Sequence, residues 1–195
     1  MEGWSIVPGA GFSLLADQSP SFVGTDTIAN GKSTVSLDPG FAAGVGLRYH
    51  YENSRWASEF GWEYRSNDAL TTDADGVELP GGNYASNTFF LNGRYAFSED
   101  RRLTPWVGAG VVWVQEVDLD SESTVGETSF SDSGSVGMQL MVGADYELSD
   151  QFYVTFELRY SSQAGLELNE EGGQGLVSDI DYQPLTLGIE LGIDL

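Results

Sequence analysis

Seven charged residues stand inside otherwise alternating, largely apolar stretches: Arg48, Arg94 and Arg159, with Glu59, Glu63, Glu157 and Glu190. Guanidinium and carboxylate groups placed in this way have two uses. They can neutralise one another as a buried ion-pair network, or they can line a narrow path for ions. The only histidine, His50, lies beside Glu52 and near Ser54. A catalytic histidine needs a nucleophile and an orienting acid. Ser54 falls in a turn, so His50 reads as a watered interior side chain and no catalytic residue is assigned. Asp73, Asp75 and Glu78 alternate around Gly76 in a partial calcium-loop pattern. The full ligand run and the distal bidentate glutamate are missing, so these three are weak metal candidates beside the simpler reading of a solvated acidic loop.

Composition narrows the chemistry further. The chain has 195 residues, 25 glycines, no cysteine and a net charge of −22. Without cysteine there are no disulfides, thiol nucleophiles or thiolate metal sites, and one histidine does not make a multi-histidine metal centre. No cofactor is implied. Phosphate backbones need a basic surface, so nucleic acid is excluded as a partner. No stretch approaches the ~18 apolar residues of a transmembrane helix. No basic-then-apolar leader opens the chain, and a signal peptide, where one directs export, is expected to have been removed.

The elements that position the charges are strands. Apolar residues alternate along the whole chain, and helical periodicity is absent. Phe41, Ala43, Val45, Leu47 and Tyr49 share one parity, with Gly44, Gly46 and Arg48 on the other. The same pattern recurs from Trp4 to Leu14, Trp56 to Tyr64, Phe89 to Phe97, Val107 to Trp113, Val136 to Leu148, Phe152 to Tyr160 and Leu185 to Leu195. That makes eight strands, each near the ~9–11 residues that cross a bilayer at a tilt. Short connections at 53–54, 98–102 and 149–150 alternate strictly with long ones at about 17–40, 66–83, 118–134 and 166–181. This is the rhythm of an all-β, eight-stranded antiparallel up-and-down transmembrane barrel, forming a single domain over residues 1–195.

Polarity sets which face is inside. The bulky parity suits lipid, and the Gly, Ser, Thr and charged parity suits a narrow lumen. An arginine facing lipid at mid-depth would cost about 2–4 kcal/mol, so the seven charges belong inside. Arg48, Glu59, Arg94 and Glu190 fall at one depth, with Glu63, Glu157 and Arg159 nearer the long connections. Aromatics cluster where girdles are expected: Trp4, Tyr51, Trp56, Tyr95, Phe97 and Phe152 at one rim, and Phe12, Tyr64, Trp113 and Tyr160 at the other. The long connections hold seventeen acidic residues against the single Lys32. Such a rim attracts divalent cations or basic partners and repels anions.

Several stretches carry a family resemblance: GWSIVPGAGFSLL, GFAAGVGLRYHYE, TFFLNGRYAF, LTPWVGAGVVWV, LMVGADYELSD, FYVTFELRYSS and PLTLGIELGIDL. In this order and spacing the chain resembles the small eight-stranded outer-membrane barrels, namely the opacity-type surface proteins and the barrel of outer membrane protein A. The resemblance implies a bacterial outer-membrane location, with lipid and lipopolysaccharide as surroundings. It departs from the family in ending on Leu195 where an aromatic residue is usual. RYSSQAGL vaguely resembles the active-site region of barrel enzymes that deacylate lipid A, but Arg159 stands where their histidine would be needed. The expected function is a non-enzymatic surface protein, structural or binding through its acidic loops. A narrow porin-like channel and a lipid-modifying enzyme are the alternatives.

Overall fold

The computed structural model describes residues 3–25, 28–79, 81–98, 102–123, 126–132 and 134–195. Asp26, one of the loop acids counted above, and part of the 98–102 connection lie outside them. Eight long strands carry the alternating stretches: β1 (Gly3–Leu14), β2 (Gly40–His50), β3 (Trp56–Thr72), β4 (Asn83–Ala96), β5 (Leu103–Ser123), β6 (Ser135–Ser149), β7 (Phe152–Glu170) and β8 (Leu185–Asp194). Each pairs antiparallel with the next, and β8 pairs back onto β1. The sheet is therefore closed and leaves no free strand edge in the lipid band, as a hydrocarbon surround demands. The tight turn after β2 uses Asn53 at a φ of 50°, a left-handed position that asparagine tolerates.

The parity read from the sequence holds through the membrane-spanning part. Phe12, Phe41, Phe60, Leu91, Val111, Val136, Leu140, Phe156, Leu158 and Leu187 point outward and are exposed. Ser5, Arg48, Glu59, Asn92, Arg94, Gln139, Thr155 and Thr186 point inward and are buried. Ring pairs form a belt at the short-turn rim, with Trp4 against Tyr49 at 4.9 Å and Trp56 against Tyr95 at 5.1 Å.

Two features of the interior differ from the expectation. First, the lumen is not lined by small and charged groups alone, because Phe90, Trp106 and Tyr153 point into it and are buried. Each ring lies on a glycine of the neighbouring strand. A Cβ at Gly61, Gly143 or Gly192 would meet the rings of Phe90, Trp106 and Tyr153 respectively. Inward glycines therefore make room for large inward rings, which fill the lumen that a glycine-lined wall would leave open.

Second, the strands run on into the long connections. β3 continues to Thr72, β5 to Ser123 and β7 to Glu170. Shorter strands complete the wall around them. Thr34–Leu37 pairs with β3, Gly126–Asp132 bridges β5 and β7, and Leu176–Tyr182 pairs with both β7 and Ser21–Val23. The barrel thus carries a second tier beyond the lipid band, and its polarity is reversed. Phe22, Val35, Val117, Leu119, Phe130, Leu168, Val177, Ile180 and Tyr182 form a buried apolar core there. Irregularities in pairing switch the parity. The register shifts opposite Asn87 and Thr88, so Val112 and Val114 face inward on even numbers but Val117 and Leu119 on odd ones. In β7 a shift between Gln163 and Leu166 does the same.

Candidate functional site

At mid-depth the inward charges meet. Arg48 is fully buried and is held from three neighbours. Its Nε donates to Glu59 at 2.7 Å, one terminal nitrogen donates to Glu190 at 2.6 Å, and the other donates to the Tyr153 hydroxyl at 3.0 Å. Register explains the first contact, because Arg48 and Glu59 are cross-strand partners of β2 and β3. Glu59 also receives Arg94 at 3.3 Å, and Arg94 reaches Asp145 at 3.4 Å while lying 3.4 Å over the Trp106 ring. Asp145 in turn accepts from the Trp106 indole at 3.0 Å and the Thr155 hydroxyl at 2.7 Å. One layer nearer the long connections, Arg159 donates to Glu63 at 3.0 Å, to Glu157, and stands 3.6 Å from Glu190. Arg65 closes on Glu63 at 2.5 Å.

The seven residues singled out from the sequence form one connected set, through Arg48–Glu59–Arg94 and Arg48–Glu190–Arg159. Sequence reasoning missed Asp145, Thr155, Tyr153 and Trp106 as its partners. All four lie on the inward parity. The two aromatics sit close to a rim where rings are expected to face lipid, which hid their role.

The other candidates come out differently. The Asp73 carboxylate accepts the amide hydrogens of Asp75 at 3.0 Å and Val77 at 2.8 Å. It organises its own turn, whose Gly76 has a φ of 81°. Among the described residues no three acidic or imidazole side chains converge as a metal centre, so Asp73, Asp75 and Glu78 are not assembled into one. His50 stands edge-on to Tyr153 at 6.1 Å, and its Nε2 has no hydrogen-bond partner. Ser54 accepts instead from the amide of Trp56 at 3.2 Å, and Glu52 is exposed. The three do not form a nucleophile, base and orienter.

A closed ring of eight strands, a lipid-facing apolar band, an aromatic belt and a charged interior leave one architecture. Residues 3–191 match the model of the outer membrane protein β-barrel domain. The chain belongs to that family. It is a bacterial outer-membrane β-barrel protein. Solved structures agree in fold. OprG of Pseudomonas aeruginosa superposes with a TM-score of 0.70 at 14% identity, over 100% of this chain and 97% of its own. Neisserial surface protein A superposes at 0.53 and 12% identity over the whole of both chains. AlkL, solved in lipid bilayers, gives 0.53 at 17% identity over 100% of this chain and 92% of its own. No curated protein matches the chain by sequence.

Proposed function

We propose that this chain is a closed, non-enzymatic outer-membrane surface protein, sealed at mid-depth and presenting an ordered acidic platform outside the cell. One observation carries the reading: the lumen is filled across its section by the Arg48 layer, whose members are at most 9% exposed. Ions pass only where such a layer parts, and each arginine here is held by at least two acceptors. Above the seal, buried apolar side chains pack together inside the second tier. What this tier offers to the outside is its rim, where Asp73, Asp75 and Glu171 stand in the turns beyond the strands. Such a surface recruits basic partners or divalent cations, and lipopolysaccharide phosphates approach it through bridging cations.

Planar-bilayer recording of the full chain tests this. The expected result is no unitary conductance steps from the wild-type protein. Reproducible ohmic steps that grow in Arg48→Ala would establish a gated channel and overturn the proposal.

A further inference from the structure

Among the described residues, the buried charged side chains are four arginines (Arg48, Arg65, Arg94, Arg159) and five carboxylates (Glu59, Glu63, Asp145, Glu157, Glu190), from 0% exposed at Arg48 to 9% at Asp145. All face the barrel interior. One negative charge is left over, in a dry region where an uncompensated charge is strongly disfavoured.

The contacts locate the surplus. Glu59 has Arg48 and Arg94, Glu63 has Arg65 and Arg159, and Glu190 has Arg48 as well as the more distant Arg159. Asp145 adds the Trp106 and Thr155 donors to Arg94. Glu157 has Arg159 as its one guanidinium, and Arg159 is shared three ways.

Beside Glu157 lies a cavity of about 20 Å3, bounded by Glu63, Arg159, Thr186, Glu190 and glycines of β1, β2 and β8. Glycine keeps it open. A Cβ at Gly9 would come within 2.9 Å of the Glu190 side chain. The volume admits one water-sized occupant. Thr186 lines it, is 2% exposed, and its hydroxyl oxygen has no hydrogen-bond partner.

A surplus of one charge, an orphaned buried hydroxyl and room for one small occupant point the same way. We propose that this cavity binds a single monovalent alkali cation of sodium size, with the Glu157 carboxylate and the Thr186 hydroxyl among its oxygen ligands. A divalent ion would overshoot the charge, and it would need a convergence of carboxylates that is absent among the described residues.

The test is the thermal unfolding midpoint of the full chain in lipid vesicles. Sodium chloride is compared with N-methylglucamine chloride at equal ionic strength and fixed alkaline pH. The midpoint is expected to rise with the logarithm of sodium concentration once the site begins to fill, as binding to the folded state alone requires. Glu157→Gln should abolish that response and Thr186→Val should weaken it. A loop control, Asp73→Asn with Asp75→Asn and Glu78→Gln, should keep it. If Glu157→Gln does not fold, the comparison of Thr186→Val with the loop control decides. A sodium response that survives Glu157→Gln, or one lost only in the loop control, would place the ion on the rim and overturn the proposal. A midpoint indifferent to sodium but moved by pH would mean that a proton neutralises the surplus, and would overturn it equally. Indifference to both would show that no counter-charge is taken up.

Discussion

Arg48 and Arg94 carry the same charge into the same lumen, yet they are held differently. Arg48 makes three contacts of 2.6–3.0 Å with Glu190, Glu59 and Tyr153 and is fully buried. Arg94 meets its carboxylates only at 3.3 and 3.4 Å and gains part of its stabilisation from the Trp106 face. Removing Arg48 leaves Glu59 and Glu190 facing each other without a cation between them. Arg48→Ala is expected to cost about 3–5 kcal/mol, in the range of a broken buried pair. Arg94→Ala should cost clearly less. Urea midpoints of the barrel folded in vesicles read both, and equal losses would show that the Arg48 layer is watered.

Among the elements, the extension of β5 beyond the lipid band bears most on pH. The outward apolar series of β5 ends at Trp113, and Asp118 lies past it in the second tier. Partial burial, together with Glu116, Asp120 and Glu171, pushes the Asp118 carboxyl up from 3.8 to about 6. A carboxyl whose folded pKa exceeds its unfolded value binds its proton more tightly when folded. Its contribution therefore favours the folded state below the unfolded value and is lost as pH rises through about 6. The thermal midpoint of the outer tier should rise on acidification between pH 7 and pH 4, and Asp118→Asn should flatten that rise. A wild-type profile that Asp118→Asn leaves unchanged would assign the titration to other acids of the rim.

At the scale of the whole molecule, the second tier changes what is accessible. Chain that pairs in strands resists proteolysis, and turn tips do not. A glutamate- and aspartate-specific protease added to intact cells should cut near Asp73 and Asp75, and near Glu171 ahead of Gly172. The first two lie in the turn after β3 and the last in the turn after β7. Glu167 within β7, and the turns at Asn53 and Ser149, should be spared. Mass analysis of the released fragments reads this directly. Cleavage at the short turns from outside would invert the topology.

Much of this was legible in the residue order because a barrel strand has a period of two and only two destinations for each side chain. The count of eight, the alternation of long and short connections, the lipid face and the seven charges of the lumen all follow from that period. Asp145 and Thr155 lay on the inward parity but showed no sign of being partners, since partnership across the lumen depends on depth and on which strands face each other. Two things were decided by the tertiary structure alone. One was the apolar core of the second tier. A single bulge near Gln115 and another irregularity after Gln163 exchange the faces of β5 and β7, and the long connections read from the sequence at 118–134 and 166–181 therefore take in Leu119, Leu166 and Leu168. The other was the filling of the lumen by Trp106 and Tyr153. Strand parity turns both rings inward, but the room for them comes from a glycine opposite, at Gly143 and Gly192, and that juxtaposition exists only once the register between strands is set.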